Sequence, residues 1–202
     1  IKLTNAMGRD ILVAKLDASG KVHWIAQGHG SSGAMIHEIT ADKNGNVWAS
    51  GMFKGDLKLK DRVVKSNGDS DLLLMSFGSD GSELWTKTAG GPGIDYGLGV
   101  ATDNQGNSFL TGSFTGKVLF EGEEKTSSAS ADIFVISFDQ AGKARWFNQV
   151  PGKGTDHAYS IVADTSGNLY FSGACSGNAM FGKHEFTNLG SNDIFLAKLK
   201  PR

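Results

Sequence analysis

Asp10, Asp71, Asp132 and Asp193 follow one another at intervals of 61 residues, and each opens the same phrase: DILVAKLD, DLLLMSFG, DIFVISFD and DIFLAKLK. The period is carried by residue identity and not only by hydrophobicity. A fixed period of this kind marks solenoids, propellers or arrays, in which one unit cannot bury its apolar face alone and is stabilised by its neighbours. Most single-site enzyme folds are excluded by it. Units start near Asp10, Asp71 and Asp132, with a partial unit at Asp193, so residues 1–202 read as a single repeat region.

Laid over one another without insertion or deletion, the copies agree at Trp24, Trp85 and Trp146, and at Gly20, Gly81 and Gly142. They agree again at Asp42, Asp103 and Asp164, at Asn46, Asn107 and Asn168, and at Gly51, Gly112 and Gly173. Val, Ile, Phe, Trp and Tyr concentrate between clusters of Gly, Asn, Asp and Ser, which predicts short strands separated by turns. Ala18 to Gly20 predict one hairpin connection and Asp42 to Asn46 a second, because aspartate hydrogen-bonds turn amides and glycine takes positive φ without steric cost. Four strands per copy result, and the stretch LKLKDRVVKS is expected to widen the sheet edge.

A four-stranded antiparallel sheet repeated in tandem predicts an all-β fold of β-propeller blades. The strand expected next to the axis holds Gly97 and Gly99 in one copy and Ala158 and Ser160 in the next, and small residues suit a place where strands converge. The tryptophan column is expected between blades. Propellers typically have four to eight blades, so three copies are expected to be a segment of a larger propeller or part of a ring completed by further blades or a second copy. Ile1 opens inside a repeat, in a segment that corresponds to KSNGDSD and TNLGSND further on, so the chain reads as a window cut from something longer.

The strings DKNGNVWASG, DNQGNSFLTG and DTSGNLYFSG, with GSFTGKVLF and DIFVISFDQAGKARW, resemble the bacterial SBBP-type β-propeller repeat over nearly the whole chain. The resemblance implies large secreted or cell-surface proteins of Gram-negative bacteria, often with carbohydrate- or protein-binding modules and C-terminal sorting signals. None of those extra modules appears in these residues.

Composition narrows the function classes further. Twenty basic residues against 21 acidic ones give a net charge of -1, so nothing steers the chain onto nucleic acid or an anionic membrane. No apolar run is long enough for a spanning helix, and no membrane insertion is expected. Cys175, the single cysteine, excludes an internal disulfide and reads as local variation in a buried strand. The DKNGN turn places Asp42, Asn44 and Asn46 at alternate positions as a calcium loop would, but Gln105 and Ser166 occupy the middle position elsewhere, and turn capping accounts for all three copies. SDGSELW is similar to the Asp-box of sialidase propellers with the wrong spacing. The five histidines show no metal-ligand spacing and no GxSxG elbow occurs. No cofactor, no metal and no catalytic residue is expected.

The loops leading into the inner strands, QGHGSSGAM, AGGPGIDY and VPGKGTDHAY, differ from copy to copy and are expected to gather at one mouth of the channel. Function concentrates in such loops when a rigid scaffold repeats beneath them. The candidate ligand-binding residues are His29, Asp95, Tyr96, Asp156 and His157, with Glu38 placing a charge near the axis. The expected function is a non-enzymatic extracellular or cell-surface scaffold for protein interaction or adhesion. The alternative is a lectin-like module that binds a carbohydrate, and a propeller hydrolase or lyase ranks behind both.

Overall fold

The computed structural model describes residues 8–200, so most of the opening segment equated with KSNGDSD lies outside it. In chain order the strands are Ile11–Leu16 (β1), Val22–Gly30 (β2), Ala34–Ala41 (β3), Val47–Phe53 (β4), Asp56–Leu59 (β5), Arg62–Lys65 (β6), Asp71–Phe77 (β7), Glu83–Ala89 (β8), Tyr96–Thr102 (β9), Ser108–Phe114 (β10), Lys117–Phe120 (β11), Glu123–Thr126 (β12), Asp132–Phe138 (β13), Ala144–Val150 (β14), Asp156–Ala163 (β15), Leu169–Cys175 (β16), Ala179–Phe181 (β17), His184–Phe186 (β18) and Asp193–Leu199 (β19). No described residue lies in a helix.

The strands form antiparallel sheets that recur with the sequence. Sheet II has the order β3-β4-β7-β8 and sheet III the order β9-β10-β13-β14, while sheet IV contains β15-β16-β19. Sheet I pairs β1 with β2 and is extended by β5 and β6. The expected second hairpin is present in every copy: Asp42 Oδ1 accepts from the amides of Asn44 and Asn46 at 2.8 and 2.9 Å, and Asp103 and Asp164 repeat the pattern. Turn capping is the work these aspartates do.

The stretch LKLKDRVVKS widens a sheet, but a different one from its own. It forms the hairpin β5–β6, and β5 pairs with β2 of the preceding sheet through Gly28↔Leu59, His29↔Lys58 and Gly30↔Leu57. In the next copies, single bridges Gly90↔Leu119 and Gly152↔Ala179 bring β11 and β17 to the outer strand of the preceding sheet in the same way. Each small hairpin therefore ties two neighbouring sheets together.

Successive sheets enclose three apolar layers. Ile11 and Val13 pack with Phe53, Leu57 and Phe77; Leu72 and Leu74 pack with Leu110, Phe114 and Phe134; Ile133 and Val135 pack with Ile161, Phe171 and Phe195. Burying each of these side chains contributes about 1.5–3 kcal/mol. At the rim the tryptophan column clasps adjacent sheets: the Trp24 indole donates to the Ser79 carbonyl at 3.1 Å and that of Trp85 to the Gln140 carbonyl at 3.0 Å. Gly81 and Gly142 take φ of 85° and 77° beneath these rings, and a Cβ there would stand 2.5 and 2.8 Å from indole carbons.

The inner strands β3, β9 and β15 run side by side. Each slips register by one residue against its central partner, between Ile36 and Glu38 in β3 and between Ala158 and Ser160 in β15. Such a bulge pushes a carbonyl toward the partner strand. The glycine column receives it: a Cβ on Gly51, Gly112 or Gly173 would lie 1.9, 1.8 or 1.9 Å from the carbonyl oxygen of Met35, Tyr96 or His157. The arrangement is β-propeller-like, and the described residues form an open array of sheets.

Candidate functional site

The repeat-defining aspartates are structural caps. Asp71 accepts the Asn67 amide on both oxygens at 3.1 Å, Asp132 accepts the Ser128 amide at 2.9 Å, and Asp193 accepts the Leu189 amide at 2.5 Å. Each holds the amide four residues before it, which fixes the loop entering the third strand of its sheet. Asp132 reaches on to Gly152 N at 3.2 Å and to the Gln149 side chain at 2.6 Å.

Asp95 repeats the same device at the start of β9, and Asp156 at the start of β15 caps a loop amide further along the chain, which corrects their expected role. Both are fully buried and are not solvated mouth residues. Asp95 accepts the amides of Gly91 at 2.9 Å and Thr115 at 3.0 Å, and Asp156 accepts the Ser176 amide at 3.0 Å. Buried charge without a cation favours the neutral acid. Burial pushes the Asp95 carboxyl up to about 6, with Asp71 adding repulsion, and it raises Asp156 likewise with help from Asp132. Cys175, also buried and beside Asp156, has its thiol pushed up to about 12 and is inert.

His29 is also displaced from the expected cluster. It lies on β2, an outer strand, and its Nδ1 is 2.8 Å from Asp10 Oδ2. Glu38 does reach the convergence of the inner strands. Its Oε2 accepts the Val100 amide of β9 at 2.8 Å and it bonds Ser160 of β15, so the charge expected there works as a cap across three strands. Burial raises its carboxyl above the ordinary value. Gly99 makes the crossing possible, since a Cβ on it would stand 3.0 Å from Ser160 Cα and 3.1 Å from Glu38 Oε2.

Tyr96 and His157 are brought together, within a longer series. Ring centroids run from His37 on β3 to Tyr96 on β9 at 6.2 Å, to His157 on β15 at 6.3 Å, and to Tyr159 at 5.9 Å. His157 Nδ1 is 2.6 Å from the buried Ser113 hydroxyl. Burial lowers the pKa of both His37 and His157, which favours the neutral form of each imidazole. Tyr159 is 54% exposed, which leaves a ring face available to a partner. His37 and Tyr159 were not among the expected residues. They share the bulge column, and a register slip has no signature in strand periodicity.

Among the described residues no group of three or more His, Cys, Asp or Glu side chains converges on a metal position, and no helix is long and apolar enough to cross a membrane. No family model matches the chain. It is 24% identical over 133 residues to an uncharacterized WD repeat-containing protein of Acanthamoeba polyphaga mimivirus, covering 55% of this chain and 10% of that protein's length. WD repeats are four-stranded propeller units, in agreement with the β-propeller-like sheets. A crystal structure of a protein of unknown function from Bacteroides caccae aligns over 93% of this chain and 72% of that one, with 12% identity and a TM-score of 0.33 that is too low to equate the folds.

Proposed function

We propose that the chain is a stretch of β-propeller of the SBBP repeat type, secreted or displayed at the cell surface, and that it serves as a non-enzymatic scaffold for protein interaction or adhesion. One observation carries the reading. The recurring residues, from Asp71 and Asp132 to Trp24 and Trp85, are engaged in caps and clasps, whereas the row His37, Tyr96, His157 and Tyr159 differs from copy to copy and is partly open to solvent. Aromatic rings on a rigid support are what protein interfaces enrich at their centres. A further sheet, from the same protein or a second copy, is proposed to continue the array beyond sheet IV. Ile194 and Leu196 are 86% and 78% exposed there, in the columns of the buried Ile133 and Val135.

The test is the double variant H157A/Y159A. The scaffold reading expects it to lose capture of the native extracellular partner while it stays folded and unfolds in one cooperative transition as wild type does. Hydrolytic or lyase turnover abolished by H157A overturns the reading, and so does a glycan ligand lost in the double variant.

A further inference from the structure

Two Asn-Gly pairs occur in the chain, Asn44 with Gly45 and Asn67 with Gly68, and neither recurs in the other copies. Gln105 and Ser128 stand in place of the asparagines in the next copy, Ser166 and Leu189 in the one after. Such a pair can react with itself, because a following glycine has no side chain to keep its amide nitrogen away from the asparagine side-chain carbonyl. Both asparagines are exposed, so solvent access does not distinguish them. Hydrogen bonding does. In the Asp42–Asn46 turn the Gly45 amide donates to the Asp42 carbonyl at 3.1 Å, and Gly45 is held at φ 81°. At the second pair the amide that is held is that of Asn67, on both oxygens of Asp71, while the Gly68 amide donates to no described group.

We propose that Asn67 is a self-modification site, cyclising onto Gly68 and opening to an isoaspartate that loosens the seam between sheets II and III. The Gly68 nitrogen gives up its proton to solvent base and bonds to the Asn67 side-chain carbonyl carbon. The carbon–nitrogen bond of the side-chain amide breaks, and ammonia leaves with a proton from solvent. Water then opens the cyclic imide. Attack at the side-chain carbonyl returns an ordinary aspartate, and attack at the main-chain carbonyl leaves the chain running through the side chain as isoaspartate. The balance is a water consumed and an ammonia released.

The place of the loop makes the product matter. A Cβ on Gly68 would stand 2.2 Å from the Gly91 carbonyl oxygen and 2.6 Å from Pro92 Cα, so the loop lies directly on the segment that enters β9. Beyond it the Asp69 amide donates to the Gly93 carbonyl at 3.2 Å and the Asp95 amide to the Ser70 carbonyl at 2.8 Å. Isoaspartate adds a methylene to the main chain between the Asn67 amide, anchored on Asp71, and Gly68, packed on Gly91. Both anchors cannot be kept, and a new negative charge enters a loop that already carries Asp69 and Asp71.

The experiment is peptide mapping by mass spectrometry, with fragmentation that distinguishes isoaspartate, on the full chain aged at mildly alkaline pH, folded and in urea. In the folded protein Asn67 is expected to convert about tenfold faster than Asn44, whose glycine amide must first leave its turn hydrogen bond. In urea the two rates are expected to converge. Equal rates in the folded protein overturn the proposal, and so does a difference that survives in urea, since it would then belong to the flanking residues and not to the fold. N67S, which carries the residue of the next copy, is the control. The isoaspartyl fraction of aged wild type is expected to unfold at lower urea than fresh protein, while aged N67S keeps its midpoint. An isoaspartyl fraction as stable as fresh protein overturns the loosening of the seam.

Discussion

The rim grooves beneath the small hairpins on either side of sheet II share a backbone, a hairpin turn and a tryptophan clasp, yet one is packed solid and the other stands open. Phe120 and Phe147 fill the first as part of a ring cluster with Phe114 and Phe134. Leu59 and Thr86, in the same columns, leave the second at about 880 Å³. The difference teaches how a repeat separates stability from specificity. Backbone hydrogen bonds, caps and clasps need the same residues in every copy, whereas a few side-chain columns at the rim are free to be filled or emptied without disturbing them.

The largest expected effect breaks the filled groove. Phe120 is buried in a cluster of rings, and F120A is expected to cost about 3–5 kcal/mol in chemical denaturation, against less than about 1 kcal/mol for T86A on the open side. Equal costs for the two would show that the grooves do not differ in packing.

Next in size is a comparison between the junctions that precede the inner strands. Sheet III begins with Asp95 behind Asp71, whereas sheet II begins with Ala34 behind Asp10. Asp95 is lifted from an ordinary 3.8 to about 6 in the fold. The folded state thus holds this proton more tightly than the unfolded one, and its contribution to stability is present below about pH 4 and lost as the pH rises through about 6. The stability of wild type relative to D95N is expected to fall by up to about 3 kcal/mol from pH 4 to pH 7.5. A constant difference would mean that Asp95 keeps its unfolded-state acidity.

Third, the clasp is the same on both sides of sheet II, so G81A and G142A are expected to destabilise by equal amounts, about 1–3 kcal/mol each, because both take positive φ under an indole ring. Unequal losses would show that the clasps, too, have diverged. The smallest effect is that of T86F. Unfolding free energy is expected to move by no more than about 1 kcal/mol, since a ring enters open space while one hydroxyl bond to Glu83 is lost. A loss of several kcal/mol would mean that the space is not free.

Much of the fold was legible in the residues. The Asp42–Asn46 turns, the tryptophans between sheets and the small residues where inner strands converge all follow from the repeated columns, and the structure has them where expected. The candidate site was legible only in part. Tyr96 and His157 do meet, but Asp95 and Asp156 vanish into the interior and His29 stands on an outer strand. A polar residue in a Gly-rich loop reads as solvated because its buried partners, the amides of Gly91, Thr115 and Ser176, are backbone groups that any sequence supplies.

By itself the sequence determined the period, the turns and the strands, because each depends on a few adjacent residues: an aspartate that caps nearby amides, a glycine that takes positive φ, an alternation of faces. Only the tertiary structure decided that β5–β6 joins the preceding sheet, that the bulge turns His37 and Tyr159 into the aromatic row, and that one rim groove is open while its twin is full. Those outcomes rest on strand pairing and on volumes shared by segments tens of residues apart, which no local pattern records.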